Sequence, residues 1–312
     1  MKKMFVTLAL ASLSVLSAVR AEIIQQKFTN DPAIDGWKIY GDTNLFQWDS
    51  SSKVLDVTWD SSRTNSYFYH PLGATYTKAD SFCVVFDLKL KDVDAVGYFQ
   101  IASGLCNFTN STSSAFSRAN GYSPDLFEFN YFPDGPQSYG PSIDATLVDA
   151  DSYFYFAFET NRMETNLTYH IVLIHQEGQV AISGMVFTNG QVFTKLPLVG
   201  SYGADNFHLD TLAICNYTTT DDIYGDSLLA HGTVDNLAFA SPLPVGLIQT
   251  TAPGAIQFTA TTNWLYTLQR TTDFQTWTNV ATATSPSQAN LVLQDTNPPA
   301  GAANYRVNAD LP

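Results

Sequence analysis

The sequence predicts an all-β protein: an antiparallel β-sandwich of jelly-roll type, followed by a small sandwich-like β module. Three observations carry this expectation. Apolar and polar residues alternate with a period of two through many short runs, the pattern of half-buried strands. Helical periodicity is nearly absent. Gly, Asn, Asp and Ser cluster between the runs, as at 107–120 and 218–225, and such clusters punctuate antiparallel sheets.

Taken in order, Val54–Trp59 sets Leu55, Val57 and Trp59 against Asp56 and Thr58. Phe82–Leu90 sets Phe82, Val84, Phe86, Leu88 and Leu90 against Cys83, Val85, Asp87 and Lys89. Tyr153–Phe158 sets three phenylalanines against Tyr153, Tyr155 and Ala157. Further strands are expected at Tyr169–His175, Gln179–Thr188, Leu209–Cys215 and Thr233–Phe239. Pro242 and Pro244 resist both helix and central strand, so the 241–244 segment reads as a linker. It divides a large β domain, 22–241, from a small C-terminal module, 242–312. In the module, strands are expected near Ala255–Thr261, Leu265–Arg270, Trp277–Ala281, Asn290–Leu293 and Asn304–Val307, around Trp264, Tyr266, Phe274, Trp277 and Tyr305. A unit of that size has a thin core.

Hydrophobic residues make up 45% and aromatics 13% of the chain, while charged residues reach only 14%. That composition excludes disorder. Residues 1–21 read as a cleaved signal peptide. Lys2 and Lys3 precede an apolar stretch from Met4 to Leu16 that is too short to span a bilayer. The protein is therefore expected to be secreted or periplasmic. Removing Lys2, Lys3 and Arg20 leaves 12 basic against 29 acidic side chains, a formal charge of −17. Such a surface repels phosphate backbones, so nucleic acid is not an expected partner, and nothing suggests membrane insertion. The odd count of three cysteines permits one disulfide, with Cys83–Cys106 among the pairings, and one leftover thiol. The alternative is three half-buried small hydrophobes.

Within the large domain, Asn44–Asp49, Asp60–Ser62, Ser66–Tyr69, Pro71–Gly73 and the closing His231–Leu237 resemble the concanavalin A-like, laminin-G-like jelly rolls of secreted bacterial proteins. The best-matched element is Gly-Thr-Val-Asp-Asn at 232–236, similar to the final strand of such domains. Tyr266–Trp277 and Tyr305–Val307 resemble the small C-terminal β modules of the same proteins. These motifs are structural, and a fold does not settle a function.

Glycoside hydrolases with this sandwich carry Glu-x-Asp-x-(x)-Glu on one strand, and their chemistry needs two carboxylates. The nearest string here is Asp125–Phe132, where Glu128 stands alone. Asn130 replaces the supporting Asp, and Tyr131 or Phe132 takes the place of the second Glu. No catalytic residue is assigned on this pattern. What remains is a polar line of Gln100, Glu128, Asn130, Tyr153, Tyr155 and Glu159 against core-type residues. Amides, carboxylates and phenols beside aromatic rings suit sugar recognition, although a solvated sheet face is also polar. The five histidines lack zinc-site spacing, and no cofactor is expected beyond a structural Ca²⁺. Asp149 and Asp151 occupy one loop, and Asp221, Asp222 and Asp226 another. Oxygen-rich loops of this kind suit calcium. Asp235 is expected among inward-facing residues, tied to backbone N–H groups near Asp42 or sharing a calcium ion with it.

The function expected is a secreted, non-catalytic carbohydrate- or surface-binding protein whose partner is a glycan or cell-surface polymer. One alternative is a polysaccharide-degrading hydrolase or lyase using Glu128 with a second carboxylate such as Glu159. Another is a structural envelope or adhesion protein.

Overall fold

The computed structural model describes residues 22–312, apart from 136–139, 180–181, 200–205, 221–224, 244, 253, 262–263, 273–275, 286–288, 300, 302 and 311–312. The expected signal peptide, Asp221, Asp222, Pro244 and Phe274 lie outside the described residues.

The first fifteen strands are β1 (Glu22–Gln26), β2 (Lys38–Tyr40), β3 (Phe46–Asp49), β4 (Val54–Asp60), β5 (Ser66–Tyr76), β6 (Phe82–Val96), β7 (Ile101–Cys106) and β8 (Leu126–Phe132), then β9 (Ser142–Val148), β10 (Phe154–Tyr155), β11 (Thr168–His175), β12 (Ile182–Thr188), β13 (Gln191–Val199), β14 (Leu209–Asn216) and β15 (Ser227–Ser241). They form two antiparallel sheets. An 8-stranded sheet runs β13-β12-β11-β6-β15-β4-β3, with β1 also paired to β15. A 7-stranded sheet runs β10-β9-β8-β7-β14-β5-β2. The chain changes sheets after β1, β2, β4, β5, β6, β10, β13 and β14. This is the jelly-roll sandwich expected from the alternation and from the resemblance.

The alternating residues show why the sheets face each other. Phe82 and Phe86 of β6 meet Phe127 and Phe129 of β8 at ring-centroid distances of 5.1 and 5.8 Å. All four are fully or almost fully buried in one continuous core. Burying such side chains contributes about 1.5–3 kcal/mol each, which fixes the strand phase. A one-residue slip would turn this set to the other face.

Six more strands follow: β16 (Val245–Ala252), β17 (Ala255–Ala260), β18 (Leu265–Thr271), β19 (Thr278–Thr284), β20 (Ala289–Gln294) and β21 (Asn304–Asp310). They form two 3-stranded sheets, β16-β17-β20 and β19-β18-β21. Phe258, Trp264, Tyr266, Leu268 and Leu293 are buried between them. Trp277, expected in this core, is instead half-buried beneath the Arg306 guanidinium, 4.0 Å from its ring centroid. The same apolar cluster takes in Ile23, Cys83, Ile174 and Ala240. Those four stand side by side across β1, β15, β6 and β11, on the outer face of the 8-stranded sheet.

The Cys83–Cys106 pairing is corrected. All three cysteines are free and buried. Cys83 belongs to the 8-stranded sheet and Cys106 to the 7-stranded one. Their side chains leave the sandwich on opposite outer faces, so no bridge can join them. Among the described residues, no helix is long and apolar enough to cross a membrane.

Candidate functional site

The site is built on the outer face of the 7-stranded sheet. Strand register aligns Cys215, Ala102, Asn130 and Asp144 across β14, β7, β8 and β9. The adjacent row is Ala213, Gly104, Glu128 and Thr146. Small residues on β7 leave a trough between the larger polar ones. Gly104 is obligatory there, because a Cβ would fall 2.1 Å from the Phe127 carbonyl oxygen.

A connection from Asn107 to Asp125, opened by one helical turn at Phe108–Ser111, roofs part of this trough. From it Arg118 reaches Glu128, with Nη2 3.3 Å from Oε2. The guanidinium also lies 4.9 Å from the Phe154 ring centroid and 5.9 Å from that of Tyr217. The Tyr217 hydroxyl donates to Glu128 Oε1. Burial pushes the Glu128 carboxyl up, opposed by Arg118 and by the Tyr217 hydrogen bond. Beside it, Asn130 Nδ2 donates to Thr146 Oγ1 at 2.9 Å, and Thr146 donates to Asp144 Oδ1 at 2.9 Å. Burial raises the Asp144 carboxyl to about 7, against the opposing pull of Thr146 and Arg118.

Above Asp144 and Thr146 is a cavity of about 250 Å³. Gln100, Arg118 and Asp226 supply its other polar side chains, and Tyr98, Phe132, Phe154 and Phe156 its aromatic walls. Tyr98 stacks on Phe132 at 4.2 Å with 9° between planes, and Phe158 stands edge-on to both. Gln100 Nε2 and Arg118 Nε are buried with no hydrogen-bond partner.

The sequence-expected residues divide accordingly. Gln100 lines the cavity. Glu128 and Asn130 share the expected face but lie one layer beneath it, with no exposed surface. Tyr153 and Tyr155 do not line it. Tyr153 is 66% exposed, and the Tyr155 hydroxyl donates to Asp149 Oδ2 at 3.3 Å. The reason is register. Phe154 sits opposite Val148, which shares a face with Asp144 and Thr146, whereas Tyr155 sits opposite the core residue Leu147. Glu159 is also corrected as a partner for Glu128. It bridges to Ile143, one position out of phase with Asp144, and so belongs to the opposite face. The carboxylate that does stand near Glu128 is Asp144, on the next strand and diagonal to it. The sequence reading missed it, although Ser142–Val148 alternates Asp144 and Thr146 with Ile143, Ala145 and Leu147. Arg118 also carried a signal, as the one basic side chain other than histidine between Lys91 and Arg162.

The expected metal pair is not brought together. Asp42 caps a turn by accepting the Asn44 N–H at 3.0 Å, and it lies 3.8 Å from Arg63. Asp235 faces away from the core, across from Asp87 on β6. There it borders a separate, larger cavity of about 460 Å³ with Asp49, Asp56, Lys89 and Lys91. Its inward neighbour is Val234, one residue out of phase with the expectation. β1 does pair with β15, but at Leu237–Ser241, beyond Asp235. Asp149, a candidate calcium ligand, accepts the Asp151 and Tyr153 N–H groups at 2.9 Å each. Its Oδ1 thus serves its own turn. Among the described residues, no group of three or more His, Cys, Asp or Glu side chains is placed to hold a metal ion. The larger cavity has no aromatic residue among its lining residues, which sets the smaller one apart.

No family model matches the chain, and no curated protein matches it. Solved structures resemble it in chain path. A Lotus tetragonolobus seed lectin is 10% identical over 71% of this chain and 98% of its own, with a TM-score of 0.44. Peanut lectin with a bound 9-residue peptide is 11% identical over 70% and 99%, with a TM-score of 0.43. Alginate lyase Aly36B is 10% identical over 70% and 96%, with a TM-score of 0.42.

Proposed function

We propose that the protein binds a glycan in the cavity over β8 and β9. One observation carries the reading: the polar side chains of Gln100, Arg118, Asp144 and Thr146 line a cavity walled by aromatic rings. Among these, Gln100 and Arg118 bring N–H groups to the cavity wall. A sugar offers hydroxyl oxygens to such donors and an apolar ring face to Tyr98 and Phe156, the combination of few polar groups and aromatic walls that small-ligand sites use. The export expected from residues 1–21 would bring the protein to extracellular polysaccharide.

Binding is favoured over hydrolysis by the state of Glu128. Hydrolysis needs two carboxyl groups flanking the scissile bond, and Glu128 is wholly buried and committed to Arg118 and Tyr217. Affinity gels loaded with neutral and acidic polysaccharides test the proposal. Retardation is expected on at least one. Phe156→Ala should weaken it about tenfold, the loss of about 1.4 kcal/mol of stacking, while Tyr153→Ala leaves it unchanged. A folded protein that no polysaccharide retards overturns the reading.

A further inference from the structure

We propose that Asp144 contacts the glycan as a protonated carboxyl, donating a hydrogen bond to a sugar oxygen, so that binding takes up a proton from solution. This rests on the glycan reading above and assigns one of its polar contacts.

The count of charges around Asp144 carries the inference. Asp144 lines the cavity yet is only 1% exposed. From β8, Glu128 stands diagonal to it. Arg118 reaches over from the 107–125 connection, Tyr98 lies ahead of β7, and Asp226 lies ahead of β15 on the same cavity. Beside β9, Phe154 and Phe156 add only rings to the lining. Arg118 is the one cation among the described lining residues, and its ion pair is with Glu128 at 3.3 Å. Three carboxyl groups thus share one guanidinium, already committed to a partner other than Asp144.

Solvent entering the cavity can hydrate an ionised Asp144. A sugar that fills the cavity displaces that solvent and brings no positive charge in its place. A carboxylate so enclosed takes a proton rather than remain charged. Burial has already brought this carboxyl to about 7, so the proton is added at small cost near neutral pH. The group is also oriented before the ligand arrives. Thr146 donates to its Oδ1 at 2.9 Å and is itself held by Asn130 Nδ2 at 2.9 Å. A protonated carboxyl offers one O–H donor. Burial and the Asp144 charge hold the Tyr98 hydroxyl protonated as well, so both groups present hydrogens to sugar oxygens.

Calorimetry of the full chain with cello-, xylo-, manno- and laminari-hexaose across pH, in buffers of different ionisation enthalpy, tests this. For a hexasaccharide that binds, affinity should be level below about pH 6 and about thirtyfold weaker at about pH 8.5, with uptake nearing one proton per site there. Asp144→Asn keeps an oxygen for Thr146 and presents an N–H in place of the O–H, so it should hold the parent's acid-side affinity at every pH. The Asp144 carboxyl carbon signal in NMR should titrate at higher pH with the hexasaccharide bound. Affinity gels run at the same pH values read any other polysaccharide in the same way. Parent affinity that is level or rises with pH, or an equal pH slope in parent and Asp144→Asn, overturns the protonated contact and leaves the glycan reading standing. So does an Asp144→Asn variant about tenfold or more weaker than the parent in acid. Failure of every hexasaccharide, together with no retardation on any polysaccharide, overturns both readings.

Discussion

Asp144 couples the site to pH. Its carboxyl titrates at about 7 in the folded chain and near 3.8 in the unfolded one. Between those values the folded state holds a proton that the unfolded state has released. Stability from this group is therefore greatest below about pH 4, falls as pH rises to about 7, and is level above that. Asp144→Asn removes the effect. Melting curves should show the variant above the parent at pH 8, with the gap closing toward pH 4. Arg118 acts in the opposite sense on Glu128. Arg118→Ala leaves a buried carboxylate unpaired, a loss of about 3–5 kcal/mol by the usual cost of breaking such a pair. Urea denaturation should show that loss, and the double variant with Glu128→Gln should recover part of it. Asp235 reverses the sequence expectation. Directly across from it is Asp87, a like charge, which is unfavourable in a cross-strand pair, and burial raises its carboxyl further. Asp235→Asn should raise the melting temperature at pH 7, where the tie to Asp42 expected from the sequence would have lowered it.

At the scale of the strand, the site depends on the close approach of β7 and β8. Glu128 and Asn130 are carried on β8 above a neighbour with almost no side-chain bulk. In Gly104→Ala the new methyl would meet the Phe127 carbonyl oxygen and the Glu128 Cα, both rigid backbone. The strands must then part, at a cost typical of overpacking, about 1–3 kcal/mol. A melting temperature several degrees below the parent, with weakened glycan retention, is the expected outcome. Strand phase was legible where a run was long enough to show it. β4, β6, β8 and β11 alternate cleanly, and Phe127, Phe129 and Tyr131 point into the core as their spacing requires. β10 shows the limit. It is two residues long, and six aromatic or small residues in succession around it carry no contrast of polarity. Only pairing with β9 fixes Phe154 toward the cavity and Tyr155 away from it.

Across the whole molecule, the C-terminal strands cover an apolar row that the sandwich would otherwise expose. Ile23, Cys83, Ile174 and Ala240 meet the cluster containing Phe258, Trp264 and Leu268. Burial raises the Cys83 thiol to about 12, so it is unreactive in place. A thiol reagent added to the native full chain should label none of the three cysteines, and in denaturant all three. A chain ending at Ser241 should gain labelling at Cys83 and self-associate through the uncovered row. Labelling that remains confined to the denatured state after truncation would show that the row does not need this cover.

The sequence by itself determined the fold class, the alternation that sorts core from outer face, and the presence of Gln100, Glu128 and Asn130 on one polar line. These follow from local periodicity, because a strand's side chains point in directions that its own spacing sets. Tertiary structure decided which strands are neighbours, and with that everything requiring two segments at once. It placed Asp144 diagonal to Glu128, brought Arg118 over both from a connection without periodicity, exchanged Tyr153 and Tyr155 for Phe154 and Phe156, and sent Asp42 and Asp235 to separate sites. Residues that meet in an antiparallel sandwich are distant in sequence, as Glu128 and Tyr217 are, and their meeting is fixed by the order of strands in a sheet, which no single run of residues encodes.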